Sequence, residues 1–325
     1  MANRNVRDAV ILSKAESTYG TDATPTAADN ALLVSNFSVT PLNAQNVNRD
    51  LIRGFLGGAE ALVGDRYISA QYSVEAVGSG AAGTAPAWGD QLLACGFAET
   101  ETSSTRVDYT LVSDAFGSLT NYYHDSGVKH ISTGTRGNAE LMLQLGERPM
   151  FNFTMLGLYN NETAASQPTD AVYTAFKTPQ VVTNANSQDI VLGCTHSTSG
   201  APALASGTTY PSQGIRINLG NTVNHLPLLG GESIHMSQRE VTGSITLDLT
   251  AAQEVTLMGN VRDATLTSLG FVHGSVTGRK LLVFMPYVQL INPQKVDVQG
   301  KRLISFDFRA VPSAGNDELR IVTSF

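Results

Sequence analysis

The sequence predicts a mainly β protein of two tandem β-sandwich domains, each with a short flanking α-helix. Three observations lead there. Hydrophobic residues make up 42% of the 325 residues and charged ones only 15%, with abundant Ser, Thr, Asn and Gly, a balance that suits short strands and turns better than charged amphipathic helices. The stretch RYISAQYSVEA, residues 66–76, alternates apolar and small polar side chains with a period of two, as a strand with one buried face does. The same pattern returns as REVTGSITLDL, residues 239–249.

The two strands align Arg66 with Arg239, Ile68 with Val241, Tyr72 with Ile245, Val74 with Leu247 and Glu75 with Asp248. The segments downstream of the two strands are collinear. PAWGDQLLACGF predicts a short helix, with Pro86 suited to its first turn and Gly96 to its end; TAAQEVTLMGN predicts the second helix. Cys95-Gly96-Phe97 aligns with Leu269-Gly270-Phe271, and strand-like VDYTLV with GRKLLVF. Each half closes on a hairpin, LMLQLGERPMFNFTM and VDVQGKRLISFDFRA, which aligns Phe151 and Phe153 with Phe306 and Phe308. A segment around SDAFGSLTNYYHDSG lengthens the first half.

A single core stops growing at roughly 250 to 300 residues, and two units are too few for a solenoid. The expectation is therefore two duplicated domains, residues 1–165 and 166–325, divided in the polar stretch YNNETAASQPTD. Independent convergence on β-sandwich patterning is the competing explanation. Long polar loops are expected at residues 41–64, before the first repeated strand, and at 194–214. A shorter one is expected at 221–238. Loops beyond about 12 to 15 residues tend to be functional or disordered, and LIRGFLGG within the first is apolar enough to want a partner.

The formal net charge is −7, and residues 1–165 carry all of it, with 10 Lys and Arg against 17 Asp and Glu, while the remainder balances 11 against 11. A tight nucleic-acid binder would carry a basic excess. Cys95 and Cys194 lack CxxC spacing and are expected to be reduced and structural. No apolar run approaches the roughly 20 residues of a membrane span, and MANRNVRDAVILSKAESTYG has no hydrophobic signal segment. The chain is expected to be made and kept in a cytoplasm, without a membrane partner.

Motifs for chemistry dissolve on inspection. GSGAAG, residues 78–83, satisfies GxGxxG, yet its strand alternates and Thr84-Ala85-Pro86 separates it from the helix, so a turn fits better than a dinucleotide loop. His124, Asp125 and His130 in HDSGVKH lack the further well-spaced ligand a metal needs and read as a hairpin turn. No GxSxG elbow is present. No catalytic residue, metal or cofactor is expected.

The polar rows carry the remaining signal. Ser69, Gln71, Ser73 and Glu75 alternate with core positions, as do Thr242, Ser244, Thr246 and Asp248. Both rows are short-chained and hydroxyl-rich and end in an acid, so they would form a smooth, weakly acidic wall; an ordinary solvated sheet face is the plainer reading.

RYISAQYSVEA through GSGAAGTAPAWGDQLLACGFAET, with the hairpin PMFNFTMLG, resembles the major tail tube protein of long, non-contractile-tailed bacteriophages. The duplicated plan is similar to members with two tube domains per subunit. The resemblance implies tail-tube-type β-sandwiches, rings whose inner sheets join into one barrel, trimers with pseudo-sixfold symmetry, and stacking of rings into a tube through which genomic DNA passes without tight binding. It implies that the two polar rows face the lumen, and that the 41–64 loop makes ring-to-ring contacts through Leu51, Ile52, Arg53, Phe55 and Leu56. The arm at residues 1–30 and the 221–238 loop are secondary candidates. Its implied partners are further copies of itself, the tape measure, the tail terminator and the distal tail protein. Its implied location is the virion tail, after assembly in the host bacterial cytoplasm. The alternative is another tail or baseplate β-sandwich protein that binds a receptor or carbohydrate; it would want exposed aromatic clusters, and the sequence offers Tyr122-Tyr123 and a lone Trp88.

Overall fold

Period-two alternation builds the central strands, and the computed structural model, which describes residues 4, 5, 8–197 and 199–325, is mainly β as expected. In chain order the first half contains β1 (Ala9–Ala15), α1 (Ala27–Asn30), β2 (Ala31–Leu32), β3 (Ser35–Asn48), β4 (Ala61–Glu75), α2 (Gly89–Leu93), β5 (Phe97–Thr102), β6 (Arg106–Leu111), β7 (Leu119–Asp125), β8 (Val128–Gln144) and β9 (Met150–Ala164). After an extended connection come β10 (Ile190–Leu192), β11 (Thr195–His196), β12 (Leu204–Ala205), β13 (Thr208–Tyr210), β14 (Ser212–Asn218), β15 (Thr222–Leu228) and β16 (Gly231–Gln238). The chain continues through β17 (Thr242–Leu247), α3 (Ala251–Arg262), β18 (Leu266–His273), β19 (Leu281–Val298), β20 (Lys301–Ala310) and β21 (Arg320–Thr323).

One layer of the sandwich is an eight-stranded antiparallel sheet in the order β3–β4–β9–β8–β14–β17–β20–β19. The other layer has two parts. β2, β1 and β7 lie beside the start of β8, and β13–β10–β18–β19–β21–β6–β5 forms the second part. β8 and β19 are long enough to serve both layers. Residues 128–135 of β8 pair with β7 and residues 140–144 with β14; residues 281–289 of β19 pair with β18 and 288–298 with β20.

The core between the layers is continuous across both halves. Ile68, Tyr72, Phe151, Phe153, Leu141, Ile215, Ile245 and Phe306 project into it from the eight-stranded sheet and meet Val107, Tyr109, Ile190, Phe271 and Ile321. Trp88, at the N-cap of α2, is buried there. Its ring lies 4.9 Å from Phe151 and 5.5 Å from Tyr109, and its indole N–H donates to the Val77 carbonyl at 2.8 Å. Thr250 starts α3 with a capping box, accepting from the Gln253 N–H while the Gln253 side chain accepts from Thr250 N–H.

Several boundaries differ from the sequence reading, for local reasons. Half of the 41–64 loop is strand. β3 and β4 continue as a ladder to Asn48↔Ala61, with register shifts at Thr40/Asn43 and Ala44/Asn46, so only residues 49–60 form a tip. The bulges break the alternation that would have marked a strand in the sequence. Residues 221–238 are likewise the hairpin β15–β16, and the 194–214 segment holds β11, β12 and β13 and the start of β14. Residues 9–15 of the expected N-terminal arm are the interior strand β1, with Ile11 and Leu12 buried; residues 1–3, 6 and 7 lie outside the described residues.

The closing hairpins align differently as well. Tyr72↔Phe153 and Ala70↔Met155 on β4 and β9 correspond to Ile245↔Phe306 and Gly243↔Phe308 on β17 and β20. Phe153 therefore answers to Phe306, and Met155 to Phe308. The offset is 153 residues (153 to 306) where the repeated FxF pattern suggested 155. A slip of two keeps every side chain on its face, so alternation alone does not detect it.

The glycines of GSGAAG serve a close backbone approach. A Cβ on Gly78 would sit 2.4 Å from the Gly278 carbonyl oxygen. Gly80 N–H donates to Gly278 O and Gly83 N–H to Ser324 O, both at 2.9 Å, which ties the C-terminal end to the first half. HDSGVKH turns at Ser126 and Gly127, both with positive φ, between β7 and β8.

Arg66 and Arg239, aligned in sequence, have different fates. Arg66 is exposed over the Tyr159 ring at 5.1 Å. Arg239 is nearly buried: its guanidinium reaches Glu318 Oε1 at 2.7 Å, the Val112 carbonyl at 2.7 Å and Asn316 Oδ1 at 3.1 Å. Removing Arg239 strands the buried Glu318 carboxylate. Arg239→Ala is expected to lower the unfolding free energy by about 3 to 5 kcal/mol, against about 0.5 to 1 kcal/mol for Arg66→Ala; chemical denaturation of the two variants measures the contrast.

His273 is also buried, with Ser187 Oγ 2.9 Å from its Nδ1 and the Gln180 carbonyl 3.0 Å from its Nε2. That arrangement suits a neutral ring donating through Nε2 and accepting at Nδ1, and burial pushes its pKa below the ordinary 6.5. Unfolding then takes up a proton, so its contribution to stability is complete above about pH 6.5 and is lost as pH falls from there through the lower folded-state value. Thermal melts between about pH 7.5 and 5.5 are expected to show a falling midpoint, and His273→Gln a shallower fall.

Candidate functional site

Two surfaces stand out, the polar face of the eight-stranded sheet and the hairpin tips on one of its rims. The polar face follows from alternation: when Ile68, Ala70, Tyr72 and Val74 enter the core, Ser69, Gln71, Ser73 and Glu75 lie on the other side. When Val241, Ile245 and Leu247 enter it, Thr242, Ser244, Thr246 and Asp248 do the same. Because β14 pairs with β8, both rows belong to one continuous face.

Most of these residues are half-buried or exposed, but Ser73 is covered. Its hydroxyl donates to Asn152 Oδ1 at 2.7 Å and accepts from the Asn36 amide at 3.4 Å, Asn36 having positive φ. The Asn43 amide donates to Ser69 Oγ at 2.9 Å. The first row is thus partly roofed by β3, whose bulged course brings asparagine amides over it.

Sequence reasoning named Glu75 and Asp248 on this face but missed its other charged members and every ion-pair partner. Glu140 of β8 pairs with Arg216 of β14 across the junction of the halves. Asp248 pairs with Lys301, Glu75 with Arg148 at 2.7 Å and Glu240 with Arg309 at 2.7 Å. Asp307 accepts from the Asn292 amide at 3.1 Å. The wall therefore consists largely of matched pairs, with Asp307 as an acid held by an amide, rather than the weakly acidic surface free of Arg and Lys that the two rows alone implied. The signal was present in the alternation of IRIN, which puts Arg216 and Asn218 opposite Ile215 and Ile217, and of SFDFRA, which does the same for Asp307 and Arg309. Exposed pairs contribute about 0 to 1 kcal/mol each, so their main effect is to leave few uncompensated charges.

The tips lie on one rim. Strand directions alternate across the sheet, so β3 and β14 run parallel, and both lead into hairpins on the same side. At the first tip Leu51, Ile52, Phe55 and Leu56 are exposed, Ile52 and Leu56 completely. Arg49 and Arg53 both reach Glu60, closing the tip at its base. The second hairpin exposes Leu226, Leu228 and Leu229. Its middle docks on the first half: the Tyr67 and His225 rings lie 5.3 Å apart, Ile234 N–H donates to Tyr19 Oη at 2.6 Å, and Arg136 donates to the Ile234 carbonyl at 3.1 Å.

His124 is buried and His130 half-buried beside the β7–β8 turn, and among the described residues no three His, Cys, Asp or Glu side chains gather as a metal site. Cys95 and Cys194 are free and buried, and burial raises both thiol pKa values. No helix is long and apolar enough to cross a membrane among the described residues.

The described residues thus form an antiparallel sandwich with a continuous polar sheet face, edges without a second strand partner at β3 and at the end of β19, and apolar tips on one rim. The phage tail tube protein family matches residues 6–310, and the chain belongs to that family of structural proteins of the bacteriophage tail. No curated protein sequence matches it.

Since the leucine and isoleucine side chains of the first tip touch little else in the chain, Ile52→Ser combined with Leu56→Ser is expected to leave the unfolding free energy within about 0.5 kcal/mol of the unsubstituted value, as read by urea denaturation.

Proposed function

We propose that this chain is the ring-forming subunit of a tail tube, that three copies close into a ring of pseudo-sixfold symmetry, and that stacked rings form the conduit for genomic DNA. The observation that carries the reading is the eight-stranded sheet. It consists of two four-stranded sets, β3–β4–β9–β8 and β14–β17–β20–β19, that share strand order and the register of their central pairs. We read these sets as one duplicated domain, with residues 1–165 and 166–325 as the two copies. Among the described residues the outer side of β3 and residues 290–298 of β19 are open edges, which favours closure, since a ring removes edges that would otherwise template aggregation.

In this reading the polar face lines the lumen. Ser69, Gln71, Glu75, Thr242, Ser244, Thr246 and Asp248 offer DNA short polar side chains, and the hydroxyl of Ser73 lies beneath them. The ion pairs occupy the cations that would otherwise bind phosphate, each of which would strengthen binding by displacing counterions. DNA then passes without being held. The apolar tips make the contact to the next ring, with Leu51, Ile52, Phe55 and Leu56 as its centre and Arg53 at its margin. The tape measure, tail terminator and distal tail protein are the further partners of such a tube, which is assembled in the host cytoplasm and carries no catalytic activity.

Negative-stain electron microscopy of the purified chain tests the reading, with threefold rings or tubes expected; monomers alone at high concentration under every salt condition would overturn it. The stacking role has its own test. Asn48 and Ala61 are paired across the ladder, so replacing residues 49–60 with Asn-Gly closes a two-residue hairpin without disturbing the strands. Rings are expected to persist in this variant and tubes to be lost.

A further inference from the structure

The outer face of the second layer carries hydrogen-bond donors that no acceptor among the described residues uses. Arg320 of β21 pairs with Thr110 of β6 on one side and with Phe284 of β19 on the other, so the three stand in one row across neighbouring strands. Their sequence neighbours Tyr109, Leu111, Ile321, Val283 and Met285 enter the core, which turns the row away from it. The row borders a cavity of about 390 Å³, within the range of small-molecule sites.

Three side chains lining this cavity hold donors without acceptors. The Arg320 side chain is 33% exposed, and its contact with Asp108 Oδ1, at 3.8 Å, is beyond hydrogen-bond reach. Asn316 accepts at Oδ1 from Arg239 at 3.1 Å and from the Ser113 hydroxyl, which fixes the amide with Nδ2 as its free end. Thr110 Oγ1 has no partner among the described residues. The acids close by are already engaged. Asp317 accepts from Ser313 N–H at 2.9 Å and Ala314 N–H at 3.1 Å, and Asp108 from the Arg106 guanidinium at 2.6 Å. The remaining wall is apolar, formed by Leu111, Pro286 and Leu319 with the Phe284 ring stacked on His196 at 5.5 Å.

We propose that this cavity binds a singly charged carboxylate carried on a six-membered ring, with the Arg320 guanidinium and the Asn316 amide holding the carboxylate and the apolar wall taking the ring. A guanidinium presents paired donors that match the two oxygens of a carboxylate. Asp108 and Asp317 set the charge preference, because a doubly charged phosphate is repelled by two nearby acids more than a monoanion is. An aromatic acid and a uronate sugar share this chemistry. The site goes beyond the tube reading and does not depend on it, since a single chain carries the whole cavity. In a tube it faces away from the lumen.

Ligand-observed NMR titrations of the full chain with benzoate, glucuronate, benzyl alcohol and inorganic phosphate, each run separately, test the site. Benzoate or glucuronate is expected to saturate at about millimolar concentration, and whichever does so names the source. Benzyl alcohol and phosphate should bind at least about tenfold more weakly. Arg320→Gln should weaken binding of the acid by about tenfold or more. Asn316→Asp keeps an acceptor for Arg239 and puts an oxygen in place of the Nδ2 donor. It should weaken binding as much, with the thermal midpoint held within about 3 °C. Equal binding of benzyl alcohol, tighter binding of phosphate, no saturation by either acid up to about 50 mM, or acid binding unchanged in either variant would overturn the site and leave the tube reading standing.

Discussion

The ladder between β8 and β14 is the contact on which the rest of the molecule depends. Five residue pairs, from Gly214↔Gln144 to Asn218↔Glu140, turn two four-stranded sets into one sheet. Leu141, Leu143, Ile215 and Ile217 lie side by side beneath it, all buried, so the hydrogen-bonded seam is also a seam of the core. Asn221 secures its upper end, donating to the carbonyls of Cys95 at 2.7 Å and Gly137 at 3.1 Å. With this ladder in place, the polar rows of both halves share a face and both hairpin tips share a rim.

That shared face explains an otherwise puzzling choice of residues. A sheet face exposed to bulk water tolerates long charged side chains in any order, yet here most charges come as neighbours of opposite sign, with Asp307 held by an amide instead, and the remainder are hydroxyls and amides. Such a surface has little to offer a polyanion, either as attraction or as repulsion. The apolar residues are kept away from it, at tips where glycines at 54, 57, 58, 230 and 231 leave the backbone unencumbered.

The strands that alternate strictly were legible in the sequence. Ile68 through Val74 and Ile245 through Leu247 declared both their secondary structure and their buried face. Legibility ended where alternation ended. The bulges in β3 hid an arm of two strands inside what reads as a polar loop, and the identical FxF spacing of the closing hairpins concealed a two-residue difference in register. Pairings between the halves had no local signal at all, because β8 does not reveal in its own residues that its partner beyond Glu140 is β14. The charge pairs were legible in principle, in the polar positions of IRIN and SFDFRA, once those strands were known to border the repeated ones.

The second layer has a topology with a temporal side. β21 lies between β6 and β19, with Arg320↔Thr110 and Phe284↔Arg320 on its two flanks. A strand inside that part of the layer, with neighbours on both sides, is therefore the last described strand to leave the ribosome, long after β6. Until residues 320–324 emerge, the β5–β6 hairpin has no partner on its inner edge, and Ser79 and Gly83 lack Ser324, to which both donate. A nascent chain of this kind cannot complete its second layer before β21 emerges, so the fold does not close piecemeal.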